Sequence, residues 1–164
     1  MIAEIVIRLH RNVANKISDG MVYDSMEDAA LYVLRTFKVV AVVGCSRYEG
    51  KPSHDVPAYL KDAGYTIVPV NPFADEILGE KSYKSLLDIP NDIKIEVVDV
   101  FRPGSEALAI AKDAVKIGAK VLWLQEGIFS DDAERYAAEN KLIFIENRCM
   151  MKERERLLLE RKLY

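Results

Sequence analysis

The chain is 164 residues long, half of them apolar and 30% charged, with 23 basic against 26 acidic side chains and a formal net charge of −3. This length and apolar content suit one ordinary domain with a real core and exclude a disordered polymer. The near-balanced charge argues against a generic nucleic-acid binder, and no apolar run approaches the roughly 20 residues that a membrane span needs.

Ile2, Ile5, Val6, Leu9, Val13 and Ile17 recur at helical spacing, with a strand through Ile5 to Leu9 as the alternative. Residues 1–24 are read as an N-terminal extension, and residues 25–164 as a single domain. Glu4 interrupts the N-terminus and no long apolar core ends in small residues, so no secretory signal is expected. Ser25 suits the cap of a helix from Met26 to Phe37. Lys38 to Val43 is a β-branched run ending at Gly44, the pattern of a strand buried on both faces. Ser53 to Ala63 reads as a helix closed by Gly64, and Tyr65 to Val70 as a second strand stopped by Asn71-Pro72.

Ser85 to Ile89 suits a short helical turn, and Ile95 to Phe101 a third strand. Pro103 suits the first turn of a helix that carries Leu108, Ala111, Val115 and Ile117 and ends at Gly118. Lys120 to Leu124 reads as a fourth strand. Ser130 caps a helix to about Asn140, with Asp131 and Asp132 at its positive end. A fifth strand, Lys141 to Ile145, and a last helix, Met151 to Leu163, complete the pattern. Strands alternating with crossover helices predict an α/β fold: a doubly wound, parallel, five-stranded sheet.

The segment from Val43 to Ser53 joins a buried strand to a helix start, where ligands of open α/β sheets bind. Unpaired N–H groups and the positive helix end there attract phosphate. Gly44 allows close backbone approach, Ser46 and Ser53 carry hydroxyls, and Arg47 and Lys51 supply charge. The dinucleotide fingerprint G-x-G-x-x-G is absent, because Ser46 stands at its second glycine. Asn71, rather than an acid, follows the second strand. Both departures weigh against an NAD(P)-dependent oxidoreductase, which remains the alternative from another class.

Four stretches, in order, resemble the small stand-alone CoA-binding proteins, relatives of the CoA-binding domain of the succinyl-CoA synthetase α subunit. They are Val43-Gly44-Cys45-Ser46 with Lys51-Pro52-Ser53; Val68-Pro69-Val70-Asn71-Pro72; Val98-Asp99-Val100-Phe101-Arg102; and Leu122-Trp123-Leu124-Gln125-Glu126-Gly127, with Asn147-Arg148-Cys149 near the end. The resemblance implies a Rossmann-like fold holding coenzyme A or an acyl-CoA at the carboxyl ends of the strands. It implies Gly44, Cys45 and Ser46 at the pyrophosphate with Lys51 and Ser53 beside them. Asn71 and Pro72 would lie near the ribose and its phosphate, Phe101 and Arg102 would border the adenine end, and Pro69 is a further candidate for cofactor binding. Cys45 departs from the family's usual alanine.

Gln125 and Glu126 end the fourth strand in the crevice and are candidates for ligand contact, whereas Trp123 reads as core. The ligase relatives pass a phosphoryl group through a histidine on a second domain. This chain has only His10 and His54, with His54 read as a first-turn residue, so binding without autonomous ligase activity is expected. No metal-ligand cluster or nucleophile triad is visible. Cys45 and Cys149 form no disulfide framework, suit the reducing cytoplasm and read as small buried hydrophobes. The alternative for them is a reactive thiolate or a mixed disulfide with the CoA thiol. A CoA-responsive module is the third reading, with the extension and the charged last helix as contact surfaces for a second copy or another protein.

Overall fold

The computed structural model describes residues 25–163. The extension, both readings of its apolar spacing and His10 lie outside the described residues. Helix α1 spans Met26–Thr36, and Ser25 caps it by accepting a hydrogen bond from the Asp28 N–H at 3.1 Å. Strand β1 (Val39–Val43) leads through a turn into α2 (Pro52–Asp62), which is followed by β2 (Thr66–Val70). A small antiparallel hairpin, β3 (Glu76–Ile77) and β4 (Glu80–Lys81), precedes a 3₁₀ turn at Leu86–Asp88. Then come β5 (Val97–Val100), a 3₁₀ turn at Gly104–Glu106, α3 (Ala107–Lys116) and β6 (Val121–Leu124). Helix α4 (Asp131–Glu139), β7 (Ile143–Ile145) and α5 (Met150–Leu159) close the chain.

The main sheet has the order β2-β1-β5-β6-β7, and every pair in it is parallel. The doubly wound, Rossmann-like α/β fold expected from the alternating pattern is therefore present. Side-chain alternation divides the core. Val40, Val42, Val97, Val121, Trp123 and Ile143 pack beneath α1, α2 and α5. Ala41, Val98, Val100, Leu122, Leu124 and Phe144 face the alanine-rich sides of α3 and α4. The small Ala107, Ala111 and Ala114 let α3 lie close on the sheet, and all three are fully buried.

Two local devices shape the sheet's carboxyl edge. Tyr83 accepts from the Asn71 N–H at 2.8 Å and donates to the Pro69 carbonyl at 3.0 Å, bridging in parallel to the edge strand β2. That bridge brings the segment after the hairpin alongside the end of β2. The second device is Gly104. A Cβ there would stand 2.0 Å from the Phe129 carbonyl oxygen, so the loops following β5 and β6 touch backbone to backbone. Among the described residues, no helix is long and apolar enough to cross a membrane.

Candidate functional site

The turn after β1 is built from backbone strain and a proline. Gly44 has φ +82°, a region other residues enter at a cost, and its N–H donates to the Val70 carbonyl at 3.0 Å. A Cβ on Gly44 would sit 2.9 Å from Cδ of Arg102, so the Arg102 stem lies against bare backbone. Pro57, inside α2, has no N–H to offer the Ser53 carbonyl four residues back. That carbonyl instead accepts from the Ser46 N–H at 2.9 Å. His54 adds a second clasp: its Nδ1 lies 2.7 Å from the Ser46 carbonyl oxygen, which can only accept, so Nδ1 carries the proton. His54 thus fastens the loop to the helix.

Five N–H groups of this segment, those of Cys45, Arg47, Glu49, Lys51 and Ser53, have no acceptor among the described residues. Those of Cys45, Arg47, Lys51 and Ser53 stand with the start of α2 beside a cleft of about 750 Å³. The cleft is lined by Gly44, Cys45, Ser46, Arg47, Lys51, Ser53, Asn71, Pro72, Phe101 and Arg102, so these predicted site residues meet in one place. Pro69 does not line it. It is buried within β2 opposite Val42. Tyr48 and Phe73 line the cleft as well.

Several of these side chains are committed to one another. Asn71 Nδ2 donates to the Cys45 carbonyl at 2.8 Å, and its Oδ1 accepts from the Phe73 N–H at 2.8 Å. Asn71 therefore shapes the rim, and both ends of its amide are occupied. Arg47 donates through Nη2 to the Tyr48 hydroxyl at 2.8 Å and through Nη1 to the Phe73 carbonyl at 3.5 Å. Arg102 makes a two-pronged bond with Glu106, at 2.9 and 2.7 Å. Hydrogen bonding in that pair holds the arginine above its ordinary value and the exposed carboxylate below.

Lys84, Ser85 and Leu86 form a further part of the wall, with Glu106 of the 3₁₀ turn and Ile110 and Asp113 of α3. Sequence reading missed these six. The only available signal was the short helical turn placed at Ser85 to Ile89. Nothing in it shows that the Tyr83 bridge carries Lys84 to the sheet edge.

Gln125 belongs to a neighbouring space of about 350 Å³, lined by Pro52, Ser53, Val56, Phe101, Gln125, Glu126, Ile128 and Cys149. Ser53 and Phe101 face both spaces. Gln125 is 4% exposed, and its Nε2 donates to Asp99 Oδ1 at 2.6 Å. Asp99 is fully buried and its Oδ2 has no partner among the described residues. Burial pushes the Asp99 carboxyl up to about 7, against the opposing hydrogen bonds of Gln125 and the Val100 backbone.

Burial also pushes the Cys45 thiol up to about 12 and raises Cys149. Both cysteines are free and buried, the setting of packing thiols rather than of a stabilised thiolate. Trp123 is buried and donates to the Arg148 carbonyl at 2.6 Å, a core role. The exposed Glu126 is paired with Lys152 at 2.6 Å. Among the described residues, no group of three or more His, Cys, Asp or Glu could hold a metal ion.

The chain is similar to several known proteins. A family model described as a CoA binding domain matches residues 38–155. YneT, an uncharacterized protein of Bacillus subtilis, is 36% identical over 118 residues, covering 72% of this chain and 86% of its own. An ADP-forming acetate–CoA ligase of Methanocaldococcus jannaschii is 37% identical over 105 residues, which are 64% of this chain but only 14% of the ligase. A solved structure of a hypothetical protein from Pyrococcus horikoshii shares 42% identity at a TM-score of 0.76, covering 87% of this chain and 96% of its own. The matched span, the identity to these relatives and the shared fold show that the chain belongs to the CoA-binding domain family.

Proposed function

We propose that the chain binds coenzyme A or an acyl-CoA across the carboxyl edge of its sheet, without ligase chemistry of its own. The observation that carries this reading is the cleft after β1. There a positive-φ glycine, unpaired N–H groups at a helix start and the cations Arg47, Lys51 and Lys84 face one space. Such a surface suits a ligand with several phosphate groups. In this reading the turn from Gly44 to Ser46 meets the pyrophosphate, with Lys51 and Ser53 beside it. Asn71 holds the rim at the ribose, while Phe101 and Arg102 border the adenine. The smaller cavity, with Gln125 at its wall, receives the pantetheine arm. Residues of this chain bind and orient the ligand, and the thioester chemistry of any acyl group belongs to the ligand.

The side chain of Asn71 supports this reading over a nicotinamide dinucleotide. Its amide is spent on Cys45 and Phe73, and no acid stands there to take the ribose hydroxyls. Calorimetric titration of the full chain with CoA, acetyl-CoA, dephospho-CoA and NAD tests the proposal. CoA and acetyl-CoA are expected to bind, dephospho-CoA more weakly, and NAD not at all. Folded protein without affinity for CoA overturns it, and binding of NAD alone transfers the site to oxidoreductase chemistry.

A further inference from the structure

Phe73 is the anomaly of the site. It is 85% exposed and packs against neither hydrophobic core. An isolated exposed apolar ring on a mobile loop would call for no explanation. The backbone carrying this ring is tied on both sides. Its N–H donates to Asn71, whose amide is in turn anchored on the Cys45 carbonyl, and its own carbonyl accepts from Arg47. A bare aromatic face is thus presented at a fixed place on the wall of a cation-lined cleft. The same cleft contains the apolar side chains of Leu86 and Ile110, which belong to other elements of the fold. A polyanion drawn in by Arg47, Lys51 and Lys84 that also carries a flat ring satisfies both features. Stacking a nucleobase on an aromatic side chain is worth a substantial part of a binding energy and asks only for a π-face.

We infer that Phe73 is the stacking platform for the purine base of the bound nucleotide and sets the site's preference for a ligand with an intact nucleoside. The inference rests on the CoA reading above. It adds a residue that the family motifs do not name.

The test uses the full chain, Phe73→Ala and Phe73→Trp. Each is titrated with 1,N6-etheno-CoA, followed by the emission of its modified base, and with 4′-phosphopantetheine, which lacks the nucleoside. Circular dichroism confirms the fold of each variant, and the exposure of the ring leaves no packing to lose. Binding to the unmodified chain is expected to quench the base emission. Phe73→Ala is expected to weaken etheno-CoA by about tenfold and to abolish the quenching. Phe73→Trp keeps both, and phosphopantetheine binds all three proteins alike.

Unchanged affinity and quenching in Phe73→Ala overturn the inference while leaving the CoA reading intact. A loss that extends equally to phosphopantetheine overturns it too, as does a dimer that dissolves in Phe73→Ala with etheno-CoA affinity unaltered. An unmodified chain that binds no CoA removes the underlying reading and this inference together.

Discussion

Asp99→Asn separates the burial of a carboxyl from everything else that titrates in the molecule. Asp99 lies inside β5, fully buried, with Oδ1 bonded to Gln125 and Oδ2 without a partner among the described residues. Its carboxyl ordinarily titrates at 3.8, and burial pushes it up to about 7. Below 3.8 both folded and unfolded chains hold the proton. Between these values the unfolded chain has released it and the folded chain has not, so stability falls as pH rises. Above about 7 both are ionised and the loss levels off. At about 1.36 kcal/mol per pH unit, the accumulated loss is on the order of 4 kcal/mol. Asparagine mimics the protonated carboxyl at every pH and carries no such loss.

Urea denaturation of both proteins at pH 5, 6, 7 and 8 reads the effect directly. Subtracting the two stabilities cancels the other titrating groups. The advantage of Asp99→Asn is expected to grow by about 1.4 kcal/mol per pH unit from pH 5 to 7 and then to flatten. A difference that is constant over this range, or that grows toward acid, refutes the reasoning.

Gly44→Ala forces a side chain into φ +82° and against Arg102 at 2.9 Å, so it is expected to lower stability by about 1–2 kcal/mol and to weaken CoA binding, read by thermal denaturation and calorimetry. Gly104→Ala places a methyl 2.0 Å from a backbone oxygen that cannot swing aside, and a loss of at least about 1–3 kcal/mol is expected. Ser105→Ala, at the exposed neighbour, is expected to stay within about 0.5 kcal/mol in the same melts. With its thiol at about 12, Cys45 is thiolate in only about one molecule in 10,000 at pH 8. Disulfide-exchange labelling with peptide mapping is expected to leave Cys45 untouched until the protein is denatured; rapid labelling of the native chain would contradict the burial argument.

The parts legible in the sequence are those specified by local chemistry. The run at Val39–Val43, the caps at Ser25 and Ser130 and the turn at Gly44 each declare themselves within a few residues, and each is present. The hairpin at Glu76–Lys81 escaped, because two-residue strands have no alternation to read and its turn places Leu78 at φ 56° before Gly79. Longer-range pairings escaped for a different reason. Gln125 reads as a ligand contact at the end of its strand, and only the pairing of β5 with β6 brings Asp99 to its amide. Arg102 and Glu106 are one helical turn apart, yet no motif marks the guanidinium as already engaged. The role of Pro57 is similar: the carbonyl it leaves free acquires meaning only once Ser46 folds back over the helix.

Ser53 and Phe101 stand as a ridge between the cleft and the smaller cavity. A ligand long enough to cross that ridge docks its second half as an intramolecular event. The effective concentration of that half is then in the millimolar range for a short flexible tether. Two separate fragments, one filling each space, must each meet the full entropic cost of association. The affinity of the whole molecule should therefore far exceed what the mixed fragments achieve. The avidity resides in the ligand's own tether, and the protein contributes to it by keeping the two chambers one ridge apart.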